Sequence, residues 1–119
     1  MFAYISGKLA EKKPTEAVLD VHGVGYWILI PTSTYQALPA VGEAATLFTH
    51  HHVREDAVLL YGFATRAERT VFTAMLAVSG VGPKLALATL SAMSPAELRD
   101  HILEGDARLL TNIPGVGRK

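Results

Sequence analysis

Two short stretches carry residue types at spacings that could do chemistry. Val78-Ser79-Gly80-Val81-Gly82-Pro83-Lys84 and Ile113-Pro114-Gly115-Val116-Gly117-Arg118-Lys119 each place two glycines one residue apart, after a helical segment, with a base one or two positions later. The second glycine pair begins 35 residues after the first. Glycine takes up φ > 0 and lets a bulky partner approach the backbone. If the next residues open a helix, their first amides lack intrahelical acceptors and, with the helix dipole, favour an anion. Gly80, Val81, Gly82 and Lys84 in one stretch, and Gly115, Val116, Gly117, Arg118 and Lys119 in the other, are therefore candidate phosphate contacts. Turns that need glycine only to connect helices are the competing explanation, and the repetition weighs against it.

Other chemically suggestive residues lead less far. Arg54-Glu55-Asp56 places adjacent carboxylates in a tight segment. Paired carboxylates can serve a hydrolase, but no further acid, metal ligand or nucleophile is placed to cooperate with them. His50-His51-His52 invites a zinc site. Neighbours on a strand point to opposite faces, so only His50 and His52 could share a metal. A tetrahedral site would need two more ligands, so no metal is expected and solvent-facing strand histidines are. Gly80-Val81-Gly82-Pro83-Lys84-Leu85 lacks the spacing and the Lys-Ser/Thr pair of a P-loop, and Gly7-Lys8-Leu9 lacks the hydroxyl and the upstream glycine loop. No ATP chemistry and no cofactor are expected.

The elements that must position these residues fall into two halves. From Phe2 to Phe63 the pattern is that of strands: Phe2 to Leu9, Ala17 to Val21, Tyr26 to Ile30, Ala45 to Val53 and Ala57 to Phe63. His22-Gly23-Val24-Gly25 reads as a hairpin turn, and Thr32 to Leu38 as one short helical turn between Pro31 and Pro39. Five strands with a small helix before the fourth suggest a Greek-key barrel of the OB type, with a plain sandwich fragment as the alternative. After Phe63 the period becomes helical. Thr65-x-x-Glu68 is a capping box, opening a helix with Val71, Phe72, Met75 and Leu76 on one face. Pro83 starts the next helix, along which lie Leu85, Leu87, Ala88 and Leu90. Ser94-Pro95-Ala96-Glu97 is a second capping box, with Leu98, Ile102 and Leu103 behind it and Gly105 as the cap; further turns span Asp106 to Thr111. The expected architecture is α+β: a barrel domain over residues 1–63 and an all-α domain over 64–119, incomplete at its carboxy end because the second glycine stretch stops before its following helix.

Composition permits this division. Half of the 119 residues are apolar, cysteine is absent, and mean hydropathy is +0.25, enough for real cores with apolar surface left over. No uncharged run approaches the ~18 apolar residues of a membrane span, and Met1 to Glu11 lacks the pattern of a signal peptide. The lack of cysteine excludes disulfides and thiolate metal sites and suits a reducing cytosol. Net charge is zero, but residues 1–63 hold four Lys/Arg against six Asp/Glu, while residues 64–119 hold seven against five. Both glycine stretches thus lie in the basic half.

The glycine stretches resemble the helix-hairpin-helix motif, which holds the DNA backbone without reading bases. Gly23-Val24-Gly25-Tyr26, Thr49 to Phe63, Glu68-Arg69, Ser79 to Leu87 and Ile113 to Lys119 together extend the likeness. Through them the whole chain, in order, resembles the RuvA family of Holliday-junction-binding subunits. That resemblance implies an OB-fold domain, tandem helix-hairpin-helix motifs and a linked third domain that recruits the RuvB motor; the third domain is not expected in this sequence. It implies sequence-independent binding of four-way junction DNA by a non-catalytic subunit, a homotetramer that can pair into an octamer on a junction, a bacterial cytoplasmic setting, and RuvB and RuvC as partners. It also recasts Glu55 and Asp56 as an acidic pin at the junction crossover, with Arg54 beside them as a junction-centre contact. A generic duplex-binding helix-hairpin-helix module, a protein-interaction domain and a helix-hairpin-helix glycosylase are the alternatives; no catalytic Asp/Lys pair supports the last.

Overall fold

The structure is a computed structural model that describes residues 2–78 and 80–92. The chain divides into two compact units, Met1–Arg69 and Thr70–Lys119.

The first unit is a closed five-stranded barrel. Its strands are β1 (Tyr4–Lys13), β2 (Glu16–Val21), β3 (Val24–Leu29), β4 (Ala44–Arg54) and β5 (Ala57–Phe63), arranged β1-β2-β3-β5-β4, with the short helix α1 (Thr32–Ala37) between β3 and β4. All neighbours are antiparallel except β3 and β5, which meet in parallel at Leu29 and Tyr61. This is the OB-fold barrel expected from the strand pattern. Alternation on each strand sends Ile5, Leu9, Ala17, Leu19, Ile28 and Leu47 inward, and Ile30 completes this core. Tyr35 and Leu38, in and just after α1, pack against it.

The strands differ from their expected bounds where a polar run or a short turn hid them. β1 continues to Lys13 because a bulge between Leu9 and Glu11 bends it. One half of β1 pairs with β4 (Tyr4 to Lys8) and the other with β2 (Lys8 to Lys13), so a single strand turns the corner that closes the barrel. The first hairpin turn is only His22-Gly23. Both residues have positive φ, 53° and 91°, the signature of a two-residue turn whose twist matches its strands. The Gly23 amide also donates to Asp20 Oδ1 at 2.8 Å, and Val24 and Gly25 already belong to β3.

Helix α2 (Arg66–Leu76) contains the division between the units, and α3 (Pro83–Ala92) lies in the second. Val71, Phe72 and Met75 are buried as expected, with Leu76 half-buried at the edge. In α3 the inward stripe is Ala86, Thr89 and Leu90; Leu85, Leu87 and Ala88 are only half-buried. This helix is apolar around most of its circumference, so its pattern could not fix which stripe faces in. Among the described residues no helix is long and apolar enough to cross a membrane. The expected helix from Ser94, the turns from Asp106 and the second glycine stretch lie outside the described residues.

Candidate nucleic-acid interface

The first glycine stretch forms a turn between α2 and α3. Gly80 has φ +85°, and a Cβ there would meet nothing within 4 Å, so it is backbone conformation and not space that requires glycine. The Val81 amide donates to the Val78 carbonyl at 3.1 Å, and the Ala86 amide donates to the Gly82 carbonyl at 3.0 Å. Gly82 therefore stands at the helix cap and Pro83 at the first helical position, where its missing N–H costs nothing. By helical geometry the next two amides, of Lys84 and Leu85, have no acceptor within α3. Gly80, Gly82 and Lys84 are exposed and Val81 half-buried. The turn thus presents backbone donors, the positive end of α3 and an ammonium to solvent on open ground, an arrangement suited to an oxyanion such as a phosphate. Gly115 to Lys119, the second candidate set, fall outside the described residues.

The acidic residues occupy a different unit. Glu55 and Asp56 form the two-residue turn of the β4–β5 hairpin, closed by the Arg54–Ala57 pair. Arg54, Glu55 and Asp56 are all exposed, as are Val53 and Val58 on the strands beneath. The tip projects two carboxylates and one guanidinium, and repulsion of anions is the interaction it can supply at close range.

The histidine run is arranged as the strand period requires, but it is not solvent-facing as expected. All three residues are half-buried. His50 and His52 share a face, with ring centroids 5.8 Å apart, and lie 6.5 and 6.1 Å from the Tyr61 ring. His51 points the other way, 5.4 Å from the Phe2 ring, with its Nδ1 buried and without a hydrogen-bond partner. Among the described residues no group of three or more His, Cys, Asp or Glu could hold a metal ion. Burial, then the neighbouring His52 and His51, hold the His50 pKa below the ordinary value of 6.5. The unfolded chain therefore binds a proton that folded His50 resists. His50 contributes no penalty above pH 6.5, and stability falls as pH drops below 6.5 toward the folded pKa. Urea midpoints between pH 7.5 and 5.5 should decline, and His50→Gln should flatten that decline; an equal slope in both proteins would refute the assignment.

The capping box at Thr65 is half realised. The Glu68 amide donates to Thr65 Oγ1 at 3.2 Å, but the Glu68 carboxylate does not return to the cap. It is buried, and it accepts from Ser33 Oγ at 2.5 Å and from Thr34 Oγ1 at 3.2 Å, both in α1. Thr34 Oγ1 in turn accepts from the Ala64 amide at 3.1 Å. This network fixes the end of β5 and the start of α2 against α1. The sequence signature showed the hydroxyl and the carboxylate, but only the fold could show that the carboxylate has two better donors.

A family model described as "RuvA N terminal domain" matches residues 1–62, and one described as "SAM-like Helix-hairpin-helix tandem" matches residues 72–119. Three curated relatives carry the name Holliday junction branch migration complex subunit RuvA. That of Salinibacter ruber is 58% identical over all 119 residues, and those of Actinobacillus pleuropneumoniae serotype 5b and Magnetococcus marinus are 51% identical. The whole chain is covered in each case, against 59%, 59% and 58% of the relatives, so it spans about six tenths of their length.

Proposed function

The chain belongs to the RuvA family, and from that membership we propose that it binds four-way junction DNA as a non-catalytic component of a branch-migration complex. The observation that carries this reading is the left-handed Gly80 turn leading into Pro83, with Lys84 exposed beside the first helical amides. Such a turn holds phosphate without sensing base identity. The second stretch, Gly115, Val116, Gly117, Arg118 and Lys119, is proposed to hold the backbone in the same manner. Residues 1–63 are assigned oligomerisation and the acidic pin, and residues 64–119 DNA binding.

Four copies around a fourfold axis would bring Glu55 and Asp56 together where the junction strands cross, with Arg54 placed to hold a phosphate as they part. A duplex running through the centre meets these carboxylates; a junction, open there, does not. Attraction along the arms and repulsion at the middle also account for a net charge of zero in a DNA-binding chain. An ATP-driven RuvB motor is the proposed partner, and a bacterial cytoplasm the proposed setting.

Gel shifts with a four-way junction and a linear duplex of equal length, in one titration, test the reading. Preference for the junction supports it, and equal affinity would leave a generic duplex-binding module instead. Lys84→Ala should weaken binding evenly across sequences and reduce the slope of log K against log salt by about one unit per contact. A loss that depends on sequence would mean that bases and not phosphates are touched.

A further inference from the structure

We propose that the outer face of the β1–β4 ladder is a docking surface for single-stranded DNA, separate from the glycine turn. On β1 the outward residues are Tyr4, Ser6 and Lys8, and their partners on β4 are Phe48, Thr46 and Ala44. Tyr4 is 57% exposed and meets Phe48 edge to face, with ring centroids 6.5 Å apart. Two guanidiniums from the start of α2 lie over the Phe48 ring, Arg66 at 5.3 Å and Arg69 at 5.8 Å from its centroid. Arg69 also donates to the Ala3 carbonyl at 2.6 Å, and Thr49 ties down the same segment through its amide to Ala3 and its hydroxyl to the Phe2 carbonyl. The backbone that carries Tyr4 is therefore held in place before any ligand arrives, which reduces the ordering cost of binding.

These residues form a stripe. Cations stand at one end, exposed and half-buried rings follow, then the Ser6 and Thr46 hydroxyls, 2.5 Å apart, and Lys8 about 13 Å along the strand from Tyr4. Stacking platforms flanked by positive charge are what an unpaired strand needs, because every base has a π face and every phosphate a charge. A duplex hides its base faces and gains nothing from Tyr4. A second exposed ring of the barrel unit, Trp27, makes the contrast. Its partner Val18 lies on β2 between the outward residues Glu16 and Asp20, which stand opposite Lys13 and Lys8 of β1, so the acids there offset the bases. The groove that Trp27 lines with Phe2, Leu29, Val58 and Leu60 includes no Lys or Arg. The guanidiniums of Arg66 and Arg69 thus distinguish the Tyr4 face from the groove beside Trp27.

The test is fluorescence anisotropy of the full chain with a labelled oligo(dT) and, separately, a blunt linear duplex, at low salt. Tyr4→Ala should weaken oligo(dT) binding about tenfold, within the range that loss of one base–aromatic stack gives, and Tyr4→Phe should restore it. Duplex affinity should stay within about twofold. Arg66→Ala should reduce the oligo(dT) salt slope by about 0.7. Because both side chains are exposed, thermal midpoints should be unchanged, which separates lost contacts from lost folding. The proposal is overturned if oligo(dT) does not bind, if Tyr4→Ala leaves its affinity unchanged, or if duplex and oligo(dT) weaken equally. It is equally overturned if Tyr4→Ala alters the sedimentation of the DNA-free chain, which would make this face a protein contact.

Discussion

Glu68→Ala should destabilise the barrel unit by about 3 kcal/mol and lower its thermal midpoint by more than about 10 °C. The size follows from what the carboxylate does. It is buried and accepts two hydroxyl hydrogen bonds, from Ser33 and Thr34, and bonds to a charged acceptor contribute about 1.5–3 kcal/mol apiece. Deleting it also strands the Thr34 hydroxyl, which is fully buried and whose oxygen already accepts from the Ala64 amide. A donor left without an acceptor in such a place costs more than the bond alone. Glu68→Gln keeps one carbonyl acceptor and should cost about 1 kcal/mol. Thr34→Val in the Glu68→Ala background should add less than it does in the wild type, because the two residues share one bond. Differential scanning calorimetry of the wild type and the four variants checks this. Additive losses would show that the network does not couple α1 to the start of α2.

Why this contact escaped the sequence reading, while much of the fold did not, follows from the range over which each signal acts. Local rules placed what local rules govern. The hairpin turn within His22 to Gly25 was marked by its turn chemistry, Ala57–Phe63 by its apolar run, and Pro83 by its fit to a first helical position. The barrel was legible because five such strands with one helical turn before the fourth leave few ways to close. Features that depend on a distant partner were not. The extension of β1 past Leu9 rests on a bulge needed only because that strand must serve both β2 and β4. The carboxylate of Glu68 finds donors 34 and 35 residues away. The face of α3 could not be chosen while Leu, Ala and Thr surround its axis. At the candidate interface, the glycine pattern and the acidic turn were visible from residue type alone, since φ > 0 favours glycine and a two-residue hairpin tip favours charged, exposed residues. The ring–guanidinium group at Tyr4, Phe48, Arg66 and Arg69 had no such signal. Its members are spread over 66 positions and are assembled only by strand pairing.

The largest functional effect is expected at the acidic turn. Glu55→Gln combined with Asp56→Asn removes two exposed charges from the β4–β5 tip and leaves its shape alone. At about 8 Å in water a carboxylate and a phosphate repel by roughly 0.5 kcal/mol. Screening over one Debye length, ~8 Å in physiological salt, reduces that to about 0.2 kcal/mol. One such pair is negligible. In the proposed fourfold assembly eight carboxylates act together, so the sum reaches about 1.5 kcal/mol, or roughly a tenfold change in affinity. The double variant should therefore bind linear duplex about tenfold more tightly, while junction affinity changes by less than about threefold, because an open centre keeps its phosphates clear of the tip. The gain should shrink as salt rises and the Debye length shortens. Competition between labelled junction and unlabelled duplex, at two ionic strengths, measures both effects at once. Unchanged discrimination would remove Glu55 and Asp56 from the selection of branched DNA and leave them as an ordinary soluble turn. Tighter binding to both substrates by the same factor would mean that they act on phosphates everywhere, through net charge, and not at a crossover.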